Sequence, residues 1–232
     1  MGKILLIRHG KAGFGENDYD QLSDVGKYQA QITGHFFKQA DIQPTRIYSG
    51  TLKRQKSTAE IACVHAGFSS EIQMDSIYNE YDYQGIIDCL LPGLIADNPS
   101  INDDLNKAFS DYPTFERIFS MLLTRWISKA YDSNDIESFD AYTRRVIQGI
   151  DHIADNTNDD DITLVFTSGG LIAVSLHLIL SIPPISALKL GWSIYNCSIT
   201  SFYASNQKYR LETFNSVAHL QMNSRDGIVT LI

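Results

Sequence analysis

The chain has 232 residues, of which 44% are hydrophobic and 20% are charged, as in ordinary soluble globular proteins. Its formal net charge of −8 argues against a protein that coats nucleic acid, because such domains are normally basic. The longest apolar stretch, residues 171–182, is too short to span a bilayer, so we expect no membrane-inserted segment.

The cysteines predict a reducing compartment. Cys63, Cys89 and Cys197 are odd in number, far apart and without CxxC spacing. We interpret them as free, mostly buried thiols, which favours a cytoplasmic location. They also form no pattern typical of a metal site.

The first third of the chain alternates strands with helices. An apolar run predicts a strand over 3–7, and further strands are predicted at 46–49 and 72–74. Helices are predicted at 25–38, after the N-cap residue Ser23, and at 52–66, before Gly67.

The middle of the chain predicts helices alone. Pro92, Pro99 and Pro113 are expected to separate short amphipathic pieces, and longer helices are predicted over 115–131 and 139–155.

The last third returns to strands. A strand over 162–167, a tight turn and a helix over 171–180 are followed by β-rich segments at 194–204 and 209–214. This alternation predicts an α/β fold with three layers, α/β/α, around a mainly parallel sheet. We expect one domain over 1–232 with a helical insert at about 86–155.

Reactive side chains follow three of the predicted strands. They are Arg8-His9-Gly10, the stretch from Ser49 to Arg54, and Thr167-Ser168-Gly169-Gly170. Because ligands bind outside the carboxyl ends of the strands in such sheets, we expect these segments to form one site.

These segments resemble, in order and spacing, the signatures of the histidine phosphatase superfamily, also called phosphoglycerate mutase-like. Arg8-His9-Gly10 is similar to the family's catalytic motif, and Ser49-Gly-Thr-Leu-Lys-Arg54 to its second arginine segment. Asn79-Glu-Tyr-Asp-Tyr-Gln-Gly85 resembles the acid-donor segment, and Val165-Phe-Thr-Ser-Gly-Gly170 the last catalytic turn. The resemblance implies a phosphoglycerate mutase-like fold and a reaction without a metal or an organic cofactor.

His9 is the candidate nucleophile, because a neutral imidazole can attack phosphorus and form a phosphoramidate that water hydrolyses. Arg8 and Arg54 are candidate phosphoryl ligands, since the planar guanidinium group binds phosphoryl oxygens in a bidentate manner. Glu80 is the candidate general acid, which protonates the leaving oxygen and later activates water. Asp82 is the alternative for that role.

Ser168 departs from the family's pattern, which has a second histidine before the Gly-Gly pair. A serine offers the phosphoryl group a neutral donor instead of a cationic one, and it could also cap the following helix. Loss of one such donor typically costs roughly 10²–10³ in rate. We therefore include Ser168 among the catalytic candidates with reduced activity as a possible consequence.

Glycine-rich segments are the candidate lining of the phosphate pocket. These candidates for substrate binding are Gly10, Gly13, Phe14, Gly15 and Gly169. Tyr81, Tyr83 and the helical insert could form a lid over the substrate.

The leading functional hypothesis is hydrolysis of a phosphomonoester through phospho-His9. A weakly active or inactive module that binds phosphate or a phosphoprotein is the alternative, and a phosphoglycerate mutase is a further one. Lys11-Ala-Gly-Phe14 differs from the loop usual in mutases, which disfavours that activity. The expected partner is a phosphorylated small molecule or a phosphoprotein, and an exposed insert helix could pair in a homodimer.

Overall fold

The structure, a computed structural model, describes residues 1–13, 20–108, 111–131, 135–205, 208–223 and 226–231. The strands are β1 (Gly2–Arg8), β2 (Arg46–Ser49), β3 (Ile72–Met74), β4 (Ile162–Thr167), β5 (Ile199–Ser205) and β6 (Lys208–Ser216). They form a sheet with the order β3-β2-β4-β1-β5-β6.

Helices connect and cover these strands. Between β1 and β3 lie α1 (Asp24–Gln39) and α2 (Lys53–Ala66). Between β3 and β4, after a short 3-10 turn at Ser76–Tyr78, lie α3 (Tyr83–Asp97), α4 (Ile101–Ala108), α5 (Tyr112–Ser128) and α6 (Phe139–Asp155). The rest are α7 (Gly169–Leu180), α8 (Pro184–Gly191) and α9 (Ala218–Gln221).

The sheet is mainly parallel, as predicted. β1 and β4 pair in parallel, and so do β2 and β4, and β2 and β3. β5 is antiparallel to β1, and β6 is antiparallel to β5. The parallel register sets Arg8 opposite Thr167, so the carboxyl ends of β1 and β4 coincide.

Both faces of the sheet are covered, which explains the continuous apolar run of β1. Ile4 and Leu6 pack into the hydrophobic cluster shared with helices α3 to α7. Leu5 and Ile7 face the other way and pack with side chains of α1 and α2, including Phe37. The alternation of side chains along one strand thus separates the two helical layers.

Two proline positions differ from the prediction. Pro92 lies inside α3 and does not separate two pieces. A proline inside a helix destabilises it by about 3 kcal/mol. Burial of the Ile86, Leu90 and Leu94 side chains of the same helix offsets this loss. Pro184 begins α8, a helix absent from the prediction, because proline suits the first helical turn, where its missing N–H costs no hydrogen bond.

The predicted strand over 194–204 begins later than expected. Cys197 has a left-handed backbone, with φ of 54°, and its N–H donates to the carbonyl of Arg8 at 3.1 Å. This tight turn excludes residues 194–198 from the sheet, and β5 starts at Ile199.

The cysteines are free in the structure. Cys63 and Cys197 are buried, and burial raises the pKa of both thiols to about 12. Cys89 is half-buried. Within the described ranges, no helix combines the length and the apolar character needed to cross a membrane.

Candidate active site

The predicted strand ends meet at one edge of the sheet. The N–H of His9, directly after β1, donates to the carbonyl of Thr167 at the end of β4, at 2.8 Å. The N–H of Gly50, directly after β2, donates to the carbonyl of Phe166 at 3.1 Å. Each loop therefore continues the ladder by one bond before it leaves the sheet, which positions the side chains of the three segments around a common pocket.

The two ring nitrogens of His9 have different hydrogen-bond partners, one in the backbone and one in an arginine side chain. Its Nδ1 lies 2.8 Å from the Gly10 carbonyl oxygen, which can only accept a hydrogen bond, so Nδ1 carries the proton. Its Nε2 therefore presents a lone pair, and it accepts a hydrogen bond from Nε of Arg54 at 3.2 Å. This tautomer leaves the nitrogen beside Arg54 as the nucleophilic atom.

Burial keeps the His9 imidazole neutral. The side chain is 5% exposed. Desolvation, followed by the positive charges of Arg54 and then Arg8, holds the pKa of His9 well below its ordinary value of 6.5, against the opposing hydrogen bond to Gly10. Because this pKa lies well below 6.5, the imidazole is unprotonated at neutral pH, as a candidate nucleophile must be.

Arg54 is held in the site by a carboxylate that the sequence did not single out. The Arg54 Nη1 donates to Oδ1 of Asp20 at 2.6 Å, and the backbone N–H of Lys53 donates to Oδ2 at 2.8 Å. Asp20 thus binds both the guanidinium and the first turn of α2. Its only sequence signal is its place in the polar loop that follows the first strand.

Arg8 also lines the pocket, while its Nη1 fastens two distant backbone segments. This atom donates to the carbonyls of Ile194 and Leu231, the latter at 2.7 Å. Arg8 is a candidate phosphoryl ligand, and it also has a structural function. Its hydrogen bonds connect the end of β1 with the turn before β5 and with the last described residue.

Glu80 is bound by three donors at the edge of the pocket. Its Oε2 accepts the N–H of Gly170 at 2.8 Å, and its Oε1 accepts the N–H of Tyr81 and the hydroxyl of Tyr142, each at 3.1 Å. Burial, with a smaller effect of the neighbouring Glu80, raises the pKa of Tyr142 well above 10, so this hydroxyl is a donor. These three hydrogen bonds hold the carboxyl group in one orientation.

Gly170 is required for this arrangement. A Cβ atom at this position would lie 2.1 Å from Oε1 of Glu80 and 2.4 Å from the Tyr81 ring. Only glycine lets the first turn of α7 approach the carboxyl group so closely. This close approach explains why the second residue of the Gly169-Gly170 pair is a glycine.

Asp82, the alternative acid, is used elsewhere. It is exposed and precedes α3, where its Oδ1 accepts the N–H of Gly85 at 3.0 Å as an N-cap. Among the described residues that line the pocket, Glu80 is present and Asp82 is not.

Ser168 is completely buried and does not belong to the described lining of the pocket. Its Oγ accepts a hydrogen bond from Nε2 of Gln55 at 2.8 Å. Ser168 occupies the N-cap position of α7, but its side chain makes no capping hydrogen bond. Gln55, on α2, is a second residue that the sequence prediction missed.

The candidate pocket glycines have different surroundings. Gly169 lines the pocket. Gly10 packs against α1, where a Cβ would lie 2.5 Å from the Gly26 carbonyl oxygen, and its N–H donates to Thr58 at 3.0 Å. Gly13 is buried beside Gln21, with its N–H 2.9 Å from that carbonyl. Phe14 and Gly15 lie outside the described residues.

The pocket itself has a volume of about 170 Å³ and two chemically distinct sides. The polar floor consists of Arg8, His9, Arg54, Glu80 and the N-terminal glycines of α7. The aromatic wall consists of Tyr81, Tyr83, Phe115, Phe119, Leu188, Trp192 and Leu231. The floor contains a neutral imidazole, two guanidinium groups and a carboxyl group, which is a combination suited to phosphoryl transfer.

No metal site accompanies the pocket in the described ranges, where no group of three or more His, Cys, Asp and Glu side chains is arranged to hold an ion.

Comparison with known proteins gives a family match. The family model described as "Histidine phosphatase superfamily (branch 1)" matches residues 4–93 and 110–217. A curated relative, the serine/threonine-protein phosphatase Pgam5, mitochondrial, of Drosophila ananassae, is 27% identical over 202 residues. That match covers 85% of this chain and 56% of the relative, so the chain spans only about half of that protein's length.

Solved structures share the fold. A phosphoserine phosphatase mutant from Entamoeba histolytica, in complex with phosphoserine, superposes with a TM-score of 0.63 at 21% identity, over 95% of this chain and 100% of that one. A phosphoglycerate mutase from Bacillus anthracis superposes with a TM-score of 0.65 at 17% identity, over 94% of both chains. At these identities the likeness establishes a phosphoglycerate mutase-like architecture.

Proposed function

The chain belongs to the histidine phosphatase superfamily (branch 1), and we propose from this premise that it hydrolyses a phosphomonoester through a phosphohistidine on His9. The observation that carries the proposal is the state of His9. Its protonated Nδ1 faces the Gly10 carbonyl, and its Nε2 lone pair lies beside the Arg54 guanidinium at 3.2 Å. A neutral nucleophile is thus aligned with a cation that can bind the phosphoryl oxygens.

The first step transfers the phosphoryl group to the protein. Nε2 of His9 attacks phosphorus, an N–P bond forms, and the P–O bond to the alcohol breaks. Glu80 gives its proton to the leaving oxygen, so the product leaves as a neutral alcohol. Arg54 and Arg8 stabilise the charge on the three equatorial oxygens.

The second step regenerates His9. Water attacks the phosphoramidate, the N–P bond breaks, and the electron pair returns to Nε2. Glu80, now a carboxylate, accepts the proton from the attacking water. Inorganic phosphate leaves, and no metal or organic cofactor takes part in this scheme.

Ser168 distinguishes this proposed scheme from one with two histidines. In our proposal the position before Gly169 contributes no cation to the phosphoryl group, because the Ser168 hydroxyl is buried against Gln55. We therefore expect turnover below that of a site with one more preorganised cationic donor, by roughly 10²–10³.

The test is hydrolysis of 4-nitrophenyl phosphate and of a panel of natural phosphomonoesters between pH 5 and 8. We expect turnover that His9→Ala reduces by at least about 10³-fold, as for removal of other nucleophiles. His152→Ala is the matched control, because His152 lies on α6 and its side chain contacts Asn156, away from the pocket.

Two results would overturn the proposal. Turnover that persists in the folded His9→Ala variant would exclude the nucleophile. Phosphate or vanadate binding without hydrolysis of any ester would favour instead the module that only binds phosphate.

A further inference from the structure

Much of the aromatic wall comes from α5, α8 and the residue after α8, which contribute no side chain to the proposed phosphoryl chemistry. Phe115 and Phe119 project from α5, one turn apart, and Leu188 projects from α8. Trp192 follows α8 directly. Together with Tyr81 they form an extended apolar surface beside the polar floor.

Three rings of the wall support one another. Phe115 stacks on Phe119, with ring centroids 5.7 Å apart and an interplanar angle of 10°. Trp192 meets both edge-on, at 6.2 Å from Phe115 and 5.4 Å from Phe119. Since these are favoured aromatic geometries, the rings hold one another in place, and the surface needs little reordering when a ligand binds.

The charges around the pocket argue against a second anionic group on the substrate. Of the described residues that line it, the ionisable groups with full positive charge are Arg8 and Arg54. Both are assigned to the phosphoryl group, and Arg54 also binds Asp20. Glu80, the other ionisable side chain of the polar floor besides His9, offers no positive charge to a carboxylate of the substrate.

We propose that the preferred substrate is a phosphomonoester whose alcohol part is apolar and uncharged, namely an aromatic or benzylic ester whose ring packs against Phe115, Phe119 and Trp192. This inference rests on the proposed function, because the phosphoryl group must be held at His9. Such a preference would distinguish this protein from proteins that act on small anionic esters such as phosphoserine.

Binding of phosphonates tests the inference without turnover, since the C–P bond is not hydrolysed. Isothermal titration calorimetry compares benzylphosphonate, methylphosphonate and 3-phosphonopropionate, which carries a carboxylate. We expect benzylphosphonate to bind about tenfold or more tightly than methylphosphonate, because a buried phenyl ring contributes that much or more. Equal affinities, or tightest binding of 3-phosphonopropionate, would overturn the inference.

Variants of the wall locate the effect. We expect Phe115→Ala and Trp192→Leu each to reduce the advantage of benzylphosphonate several-fold and to leave methylphosphonate binding unchanged. Phe36→Ala is the matched control, because Phe36 is a half-buried ring packed against His219 outside the pocket. A benzyl advantage that survives both wall variants, with the fold verified by circular dichroism, would contradict the assignment.

Turnover separates failure of this inference from failure of the proposed function. Benzyl phosphate and phosphoserine are both esters of primary alcohols, and we expect kcat/KM for benzyl phosphate to be at least about tenfold higher. Faster hydrolysis of phosphoserine would overturn the substrate class but leave the phosphatase. If neither ester is hydrolysed, the proposed phosphatase activity is wrong. The phosphonate affinities then still test the preference for an apolar, uncharged group. Phenyl phosphate and a phosphotyrosine peptide, compared in the same assay, tell whether the aryl ester is a free molecule or a side chain.

Discussion

The polar floor and the aromatic wall of the pocket differ in how the chain builds them. His9 and Arg8 stand at the end of one strand, and Gly170 stands three residues after another, so the backbone of the sheet places them directly. Phe115 and Trp192 come from α5 and α8, which meet only after the helices have packed. The difference teaches that the positions of the polar floor follow mainly from where the strands end, whereas the shape of the aromatic wall arises from the packing of helices.

The largest expected effect on kcat distinguishes Glu80 from Asp82 as the general acid. Glu80→Gln should reduce kcat for benzyl phosphate by about 10²–10⁴, as is typical for loss of a general acid. The loss should be much smaller for 4-nitrophenyl phosphate, whose leaving group needs little protonation. Steady-state kinetics of both esters check this.

Asp82→Asn is the matched control, because Asp82 caps α3 and lies outside the described pocket lining. We expect it to keep kcat within about threefold of the unaltered protein and to change stability little, because the Oδ1 of asparagine caps a helix about as well as that of aspartate. A larger loss of kcat for Asp82→Asn than for Glu80→Gln would reverse the assignment of the acid.

The next effect concerns the guanidinium of the floor. Arg54→Ala should lower kcat/KM by about 10²–10³ for every ester, apolar or anionic, because Arg54 is expected to contact the part that all esters share. Arg46→Ala is the control, since Arg46 pairs with Asp161 at the opposite end of the sheet. A loss of kcat/KM for benzyl esters alone would show that Arg54 acts on the alcohol part of the ester, and it would contradict the separate functions of the polar floor and the aromatic wall.

His9 supplies the pH dependence of the floor. Burial and the neighbouring arginines hold its pKa well below 6.5, so protonation of this ring should not reduce kcat/KM as the pH falls from 8 to 6.5. Arg54→Gln removes one positive charge, which makes protonation easier and should raise the pKa of His9. NMR titration of the imidazole in both proteins measures this shift, and an unperturbed pKa near 6.5 in the unaltered protein would contradict the described burial.

The smallest expected effect is at Ser168. Ser168→Ala should change kcat by no more than about threefold, because the hydroxyl is fully buried and accepts a hydrogen bond from Gln55. Steady-state kinetics with 4-nitrophenyl phosphate check this. A loss of about 10²-fold or more would mean that Ser168 stabilises the phosphoryl group directly.

The same contrast explains how much the sequence could predict. The strand over 46–49 and the helix over 139–155 have the predicted bounds, because alternating and helical apolar patterns are local signals. The grouping of His9, Arg54 and Gly169 followed from parallel strands whose carboxyl ends share one edge. Glu80 was placed with them only through the family resemblance of its segment.

Contacts between distant segments could not be predicted in this way. Asp20 binds Arg54 across 34 positions, and Gln55 reaches Ser168 across 113. Neither pair has a spacing that marks it.

Tyr81, Tyr83 and the insert were expected near the substrate, and they line the pocket with Phe115 and Phe119 of α5. The part of the aromatic wall from α8 was missed, since α8 begins at Pro184, in a Pro-Pro pair that by itself indicates the end of a helix.

The measurement that tests the central claim most directly is the capture of the phosphorylated protein. Unaltered protein and His9→Gln are mixed with ³²P-labelled benzyl phosphate, quenched within milliseconds in alkali, and digested for mass spectrometry. The account predicts label that is stable in alkali, is lost in acid and lies on His9, and it predicts none in the variant. Turnover without label on His9, or label on another side chain, would contradict it.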